Sequence, residues 1–202
     1  MNDRICKIAE FYFCGVLLLA IPLSLVGCGQ LYRVKPLPSP VQGGRLESTA
    51  SSSLGELGIE ATALDGDRSL EQFDGNLPMA GVLAVEVHLI NRSASELNLA
   101  TINFALLDGE GGTCPELQPE QALNRVMKFY GNRIYQIEAH RETVESYRRL
   151  ALPRVGELQA GRAGQGIIFY AIPAQGRLDS GFSFRVMRGG ASTSLAIAGG
   201  AP

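Results

Sequence analysis

The strictest alternation of apolar and polar positions falls at residues 83–90, where Leu83, Val85, Val87 and Leu89 interleave with Ala84, Glu86 and His88. A period of two enriched in β-branched residues predicts a strand with one buried and one wet face. After the turn Asn91-Arg92-Ser93 a second strand is expected at about 98–107, with Ile102, Phe104 and Leu106 on one side and Asp108-Gly109-Glu110-Gly111-Gly112 closing it. The apolar run 166–172, ended by Pro173, and the alternation of Phe182, Phe184 and Val186 with Ser183, Arg185 and Met187 predict two more. An earlier strand is expected at 57–64, with Leu57, Ile59, Ala61 and Ala63 facing inward, and a weaker last one at 193–198. Between the two halves the period changes: Leu123, Val126, Met127 and Tyr130 recur at helical spacing after Pro119-Glu120, and Ile134, Ile137, Val144 and Tyr147 share a stripe over 133–150. Short strands separated by Gly, Pro and Asn turns, interrupted by two helices, give a mainly β fold, a β-sandwich with a two-helix insertion at about 119–152.

The amino-terminal end follows neither period. Arg4 and Lys7 precede an apolar stretch over 11–26, about sixteen residues and shorter than the roughly twenty needed to span a hydrocarbon core. That is the layout of a secretory signal peptide. At its end stands Leu25-Val26-Gly27-Cys28, which resembles the lipobox of bacterial lipoproteins. The resemblance implies cleavage between Gly27 and Cys28 and a diacylglycerol thioether on the Cys28 thiol, with palmitate-type acylation of the new amine. At about 0.8 kcal/mol per buried CH₂, one chain binds only marginally, whereas two or three anchor stably. Residues 28–54, with Pro36, Pro38, Pro40 and a Ser-rich end, have the composition of a flexible linker, and 55–202 would form the domain.

Composition narrows the function classes. The 46% apolar and 19% charged residues fit a globular protein, and the net charge of −2 is unchanged by removing 1–27, where Asp3 and Glu10 balance Arg4 and Lys7. A nucleic-acid partner, which calls for a strongly basic face, is not expected. Of the four cysteines, Cys6, Cys14 and Cys28 are amino-terminal, so Cys114 has no partner for an internal disulfide framework and reads as a structural thiol.

The strand, Asn91-Arg92-Ser93, the strand ending Phe104-Ala105-Leu106-Leu107-Asp108, then Gly161, Gly164, Gly166, Ile168-Phe169 and Pro173, together resemble the immunoglobulin-like domain of unknown function common in bacterial surface lipoproteins. The resemblance implies an immunoglobulin-like sandwich over about 55–190 and no particular activity. This chain carries a longer connection between the strand pairs than that family does.

Candidate chemistry is sparse. The histidines are His88, on the wet face of a strand, and His140, on a charged helix; a metal site needs three or four converging ligands, and none is expected. A Cys114–His pair lacks any elbow or oxyanion signature. Asp65-Gly66-Asp67 and Asp108-Gly109-Glu110 read as turns, since neither continues into calcium-loop spacing. Tyr130, Tyr135 and Tyr147 with Arg141 and Arg148 form the candidate partner surface, aromatic and Arg side chains together being typical of binding hot spots; interleaved Glu138, Glu142 and Glu145 offset the charge. The expectation is a non-enzymatic protein-interaction module without cofactor, lipid-anchored in the cell envelope at the outer membrane or periplasmic face, meeting membrane lipid through Cys28 and another envelope protein through the helices. The alternatives are an envelope hydrolase or small-ligand carrier with a site assembled from distant residues, and a structural envelope lipoprotein.

Overall fold

The computed structural model describes residues 34–36, 49–132, 137–172 and 181–197. In chain order the elements are β1 (Ala50–Leu54), β2 (Leu57–Ala63), α1 (Gly66–Phe73), β3 (Val82–Asn91), β4 (Leu97–Asn98), β5 (Ile102–Leu107), β6 (Thr113–Cys114), β7 (Glu116–Leu117), α2 (Pro119–Phe129), α3 (Ile137–Leu150), β8 (Glu157–Leu158), β9 (Ala163–Ala171), β10 (Phe182–Arg188) and β11 (Ala191–Ile197). One sheet has the order β1-β2-β3-β9-β7, a second the order β11-β10-β5-β6, and β4 and β8 form a short two-stranded clasp. The fold is a mainly β sandwich with helices inserted between β7 and β8. The chain crosses from one sheet to the other at Pro115, where a residue without an amide hydrogen separates β6 from β7.

Alternation along the strands builds the core between the sheets. Leu57, Ile59, Leu83, Val85, Val87, Leu89, Ile168 and Tyr170 from the first sheet meet Ile102, Leu106, Phe184, Val186, Leu195 and Ile197 from the second. At one margin β1 is tied to β11 by a Ser52–Thr193 hydroxyl contact of 2.6 Å. Inside the β3–β4 turn, buried Asn91 donates from Nδ2 to the Ser95, Leu158 and Gln159 carbonyls, while its Oδ1 accepts from Ser93. A buried amide satisfied this fully holds the clasp to the end of β3.

The wet face expected for β3 requires correction. Ala84 is fully buried, Glu86 is 8% exposed, and Ile167 and Phe169 on neighbouring β9 are closed off as well. The cover is helical: Phe73 at the end of α1 and Tyr147 of α3 pack on Phe169, with ring centroids 4.9 to 5.8 Å apart. Each such ring contributes roughly 1.5–3 kcal/mol by burial. Alternation distinguishes the two faces of a strand, but it does not say what lies over the second.

Two boundaries move for related reasons. The turn expected at Asp65-Gly66-Asp67 is the start of a third helix, α1, with the Asp65 carboxylate accepting the Arg68 N–H at 2.8 Å as N-cap and Asp74 closing it in the left-handed region at φ 57°. Residues assigned to the linker over 28–54 include β1, paired with β2 from Ala50↔Ala61 to Leu54↔Leu57. Residues 34–36 also pack on the body: the Lys35 N–H donates to the Gln72 carbonyl at 2.8 Å. Among the described residues, no helix is long and apolar enough to cross a membrane.

The return from the helical layer leaves no room for a side chain at Gly166. Segment 151–152 runs beside β9, with the Leu152 N–H bonded to the Ile167 carbonyl, and a Cβ on Gly166 would lie 2.4 Å from Leu152 Cα and 2.6 Å from its nitrogen. Because backbone cannot rotate aside as a side chain does, Gly166→Ala is expected to destabilise the domain by about 3 kcal/mol, read as a lowered urea midpoint with unchanged slope.

Candidate functional site: a polar trough beside the helical layer

The helices cover only part of the outer face of the first sheet. Where they end, strand register aligns Ser51, Glu60, His88 and Gln165 in one row across β1, β2, β3 and β9. The adjacent row is Ser53, Gly58, Ile90 and Ala163, and on the helix side follow Thr62, Glu86 and Ile167. The rows floor two neighbouring hollows. One of about 450 Å³ is lined by Ser51, Ser53, Glu60, Ile90 and Arg92. The other, of about 400 Å³, is walled by Lys35, Pro36, Ser146, Arg149 and Leu150 and reaches Gln165. His88 stands between Glu60 of the first hollow and Gln165 of the second, so the polar row runs from one hollow to the other.

Each side chain is placed by a local cause. Glu86 and His88 are two apart on β3 and therefore share a face, with His88 Nε2 2.9 Å from Glu86 Oε1. Glu60 is brought beside His88 by the β2–β3 pairing. Arg92 lies flat over β2 because Gly58 has no side chain; a Cβ there would come within 3.3 Å of the guanidinium. Arg149, in the last turn of α3, bonds the Ser146 hydroxyl at 3.2 Å, and that hydroxyl donates in turn to the Glu142 carbonyl.

The electrostatics centre on the Glu86–His88 pair. The Glu86 hydrogen bond raises the His88 pKa above its ordinary value, half-burial opposes this by disfavouring the charged ring, and the Glu86 and Glu60 charges add to the rise. The floor thus carries charges of both signs, Arg92 and Arg149 with Glu60 and Glu86, and His88 lies between the two carboxylates. Ser51 is two strands from His88, about 10 Å at ordinary strand spacing, too far to be deprotonated by it.

The sequence-based candidates are dispersed. Tyr147 is fully buried in the Phe73–Phe169 cluster and is withdrawn from the partner surface: its stripe on α3 faces the sheet, not solvent. Tyr130 is 42% exposed, but its hydroxyl accepts the Asn76 N–H at 2.9 Å. Arg141 pairs with Glu138, and Arg148 lies 3.5 Å from Glu120 and 3.8 Å from Glu145. Tyr130 ends α2, whereas Arg148 meets Glu120 at its start, about 15 Å away along the helix axis. Tyr135, Gly27 and Cys28 lie outside the described residues. Cys114 belongs to the core between the sheets, its pKa raised by burial and then by Asp108, while His88 is on the opposite face of the first sheet. His140 is 3.4 Å from Asn124 on the helices. A Cys114–His pair is therefore not formed with either ring.

Among the described residues, no group of three His, Cys, Asp or Glu side chains is arranged to hold a metal ion. The alternation of β3 carried the signal for the Glu86–His88 pair. Glu60, Arg92 and Gln165 join it only through register and loop geometry, which sequence spacing does not give.

In an NMR titration the His88 ring is expected to show a midpoint above about 6.5, and Glu86→Gln should bring it down. Since the folded-state pKa is raised, the stability contributed by the pair is fully present below about pH 6.5 and is lost as pH rises through the folded-state value. Urea midpoints measured across that interval should fall with pH in the wild type and change less in Glu86→Gln.

Neither a family model nor a curated protein matches the chain. Among solved structures it is similar to a conserved hypothetical protein from Bacillus anthracis, at 12% identity and a TM-score of 0.38, over 73% of this chain and 91% of that one. A likeness of that size carries no argument about fold or function.

Proposed function

We propose that the chain is a lipid-anchored module of the bacterial cell envelope that binds a partner protein through the polar trough. The observation that carries this reading is the row Ser51–Glu60–His88–Gln165, flanked by Arg92 and Arg149, on the part of the sheet that the helices leave open. An open trough with charges of both signs suits a polar segment of another protein lying along it, paired charge by charge. Enclosure, which small-molecule sites use to bury most of their ligand, is missing from it. Cys28 following Leu25-Val26-Gly27 supports the anchor, and with it a location at the outer membrane or periplasmic face. An immunoglobulin-like lineage agrees with the sandwich and adds nothing to the choice of partner.

The alternative, an envelope hydrolase or ligand carrier, rests on the Glu86–His88 pair, a plausible acid–base group. The row offers that pair no hydroxyl or thiol nucleophile within hydrogen-bond reach, so binding is the better reading. A purely structural role would leave the trough without a use.

The test is photo-cross-linking in living cells from positions 53 and 149 at the trough rims, 130 at the end of α2, and 185 on the outer face of the second sheet. Positions 53 and 149 should give a discrete adduct with one envelope protein, lost in Glu60→Lys and in Cys28→Ala. Adducts arising from position 130 alone would return the contact to the helical insertion. Adducts from none of the four, with the chain acylated and folded, would sink the interaction reading.

A further inference from the structure

The residues leading back toward the amino terminus are fastened to the body well before β1. The Lys35 N–H donates to the Gln72 carbonyl at 2.8 Å, the Gln72 side-chain amide donates back to the Lys35 carbonyl, and Lys35 Nζ is 3.3 Å from Glu71. On its other side segment 34–36 faces Ser146, Arg149 and Leu150 of α3 across the hollow of about 400 Å³. It therefore lies in the seam between α1 and α3, on the helical side of the molecule. A spacer of 28–54 would have held the domain on the order of 25–30 Å from its anchor; segment 34–36, which is fastened, begins six residues after Cys28.

Resting on the lipid anchor proposed above, we infer that the protein has a fixed membrane-facing side: the exposed side of α1 beside segment 34–36, around Lys35 and Leu70, is held against the lipid headgroups, and the sheet β11-β10-β5-β6 faces away. Covalent geometry carries the step. From Cys28 to Val34 there are six Cα–Cα steps, at most about 20 Å when fully extended. The helical layer and the two sheets, each stacked about 10 Å on the next, put the outer face of the second sheet about 20 Å or more beyond the helices. A leash no longer than the body is thick cannot swing that face to the bilayer.

Charge does not impose this orientation. Around the seam Lys35 and Arg149 are accompanied by Asp67, Glu71 and Asp74 on the open side of α1. Leu70, 52% exposed on the same helix, adds an apolar contact of a single side chain. The leash is the cause, so the orientation should be the same on neutral and anionic lipid and at low and high salt.

The experiment uses the acylated full chain, reconstituted into phosphatidylcholine vesicles that carry an energy acceptor on a fraction of the headgroups. A fluorescent amino acid replaces Leu70 in one preparation and Arg185, exposed on β10, in another. Transfer from position 70 should exceed that from position 185 severalfold, with no change on adding salt. Gln72→Ala combined with Lys35→Pro removes both backbone-directed hydrogen bonds, releases segment 34–36 from α1, and should collapse the difference. Equal transfer from the two positions, in protein that is acylated by mass spectrometry and floats with the vesicles, overturns the orientation and leaves the anchor standing. Protein that is neither acylated nor floats overturns the anchor itself, and the orientation with it.

Discussion

The first sheet is buried on both faces through its middle, and the placement of nearly every other element follows from that. Strands β3 and β9 present Leu83, Val85, Val87, Ile168 and Tyr170 to the second sheet, and Ala84, Ile167 and Phe169 to the helices. An antiparallel sheet of this size needs only one covered face to be stable. The second is closed by the Phe73–Tyr147–Phe169 cluster, in which one ring comes from α1, one from α3 and one from β9. Those rings fix the helices on the sheet and thereby set the line at which cover stops and the trough begins.

At that line the chemistry has to change, because a polar group close to a dry interior must find a partner. Glu86 sits there, 8% exposed, with His88 at 2.9 Å on its open side. The pair grades the sheet from the apolar Ala84 position to the open Glu60–His88–Gln165 row. Glu86 therefore has two effects: it closes the edge of the helical layer, and its hydrogen bond raises the pKa of the ring in the open row.

How far the sequence could be read depended on whether an element carries its own period. β3, β9 and β10 were legible because alternation or an apolar run exceeds what a turn would show, and α2 and α3 because Leu123, Val126, Val144 and Tyr147 recur at helical spacing. β1 was not, since Ala50–Leu54 reads ASSSL and is a strand only through pairing with β2 and contact with β11. α1 is eight residues long and rests on its Asp65 cap and the anchor Phe73, too short for a periodic signal. Tyr147 shows the limit of residue-type reasoning: a tyrosine among arginines looks like a hot spot, yet the same spacing that made α3 amphipathic turned it inward. Glu60 and Gln165 belong to the site only by register, information held in no single strand.

The seam between α1 and α3 draws these elements together. Segment 34–36, bonded to Gln72, forms one wall of the hollow whose other wall is Arg149 and whose floor reaches Gln165 in the row that holds His88. The segment fastened to α1 ahead of β1 and one end of the polar row thus border the same hollow. The second sheet, which supplies the other half of the core, lines neither hollow. That division accounts for why the helices are inserted where they are: by covering half of one sheet they leave a polar edge, and by opposing α1 to α3 they create the cleft in which the approaching chain is fastened.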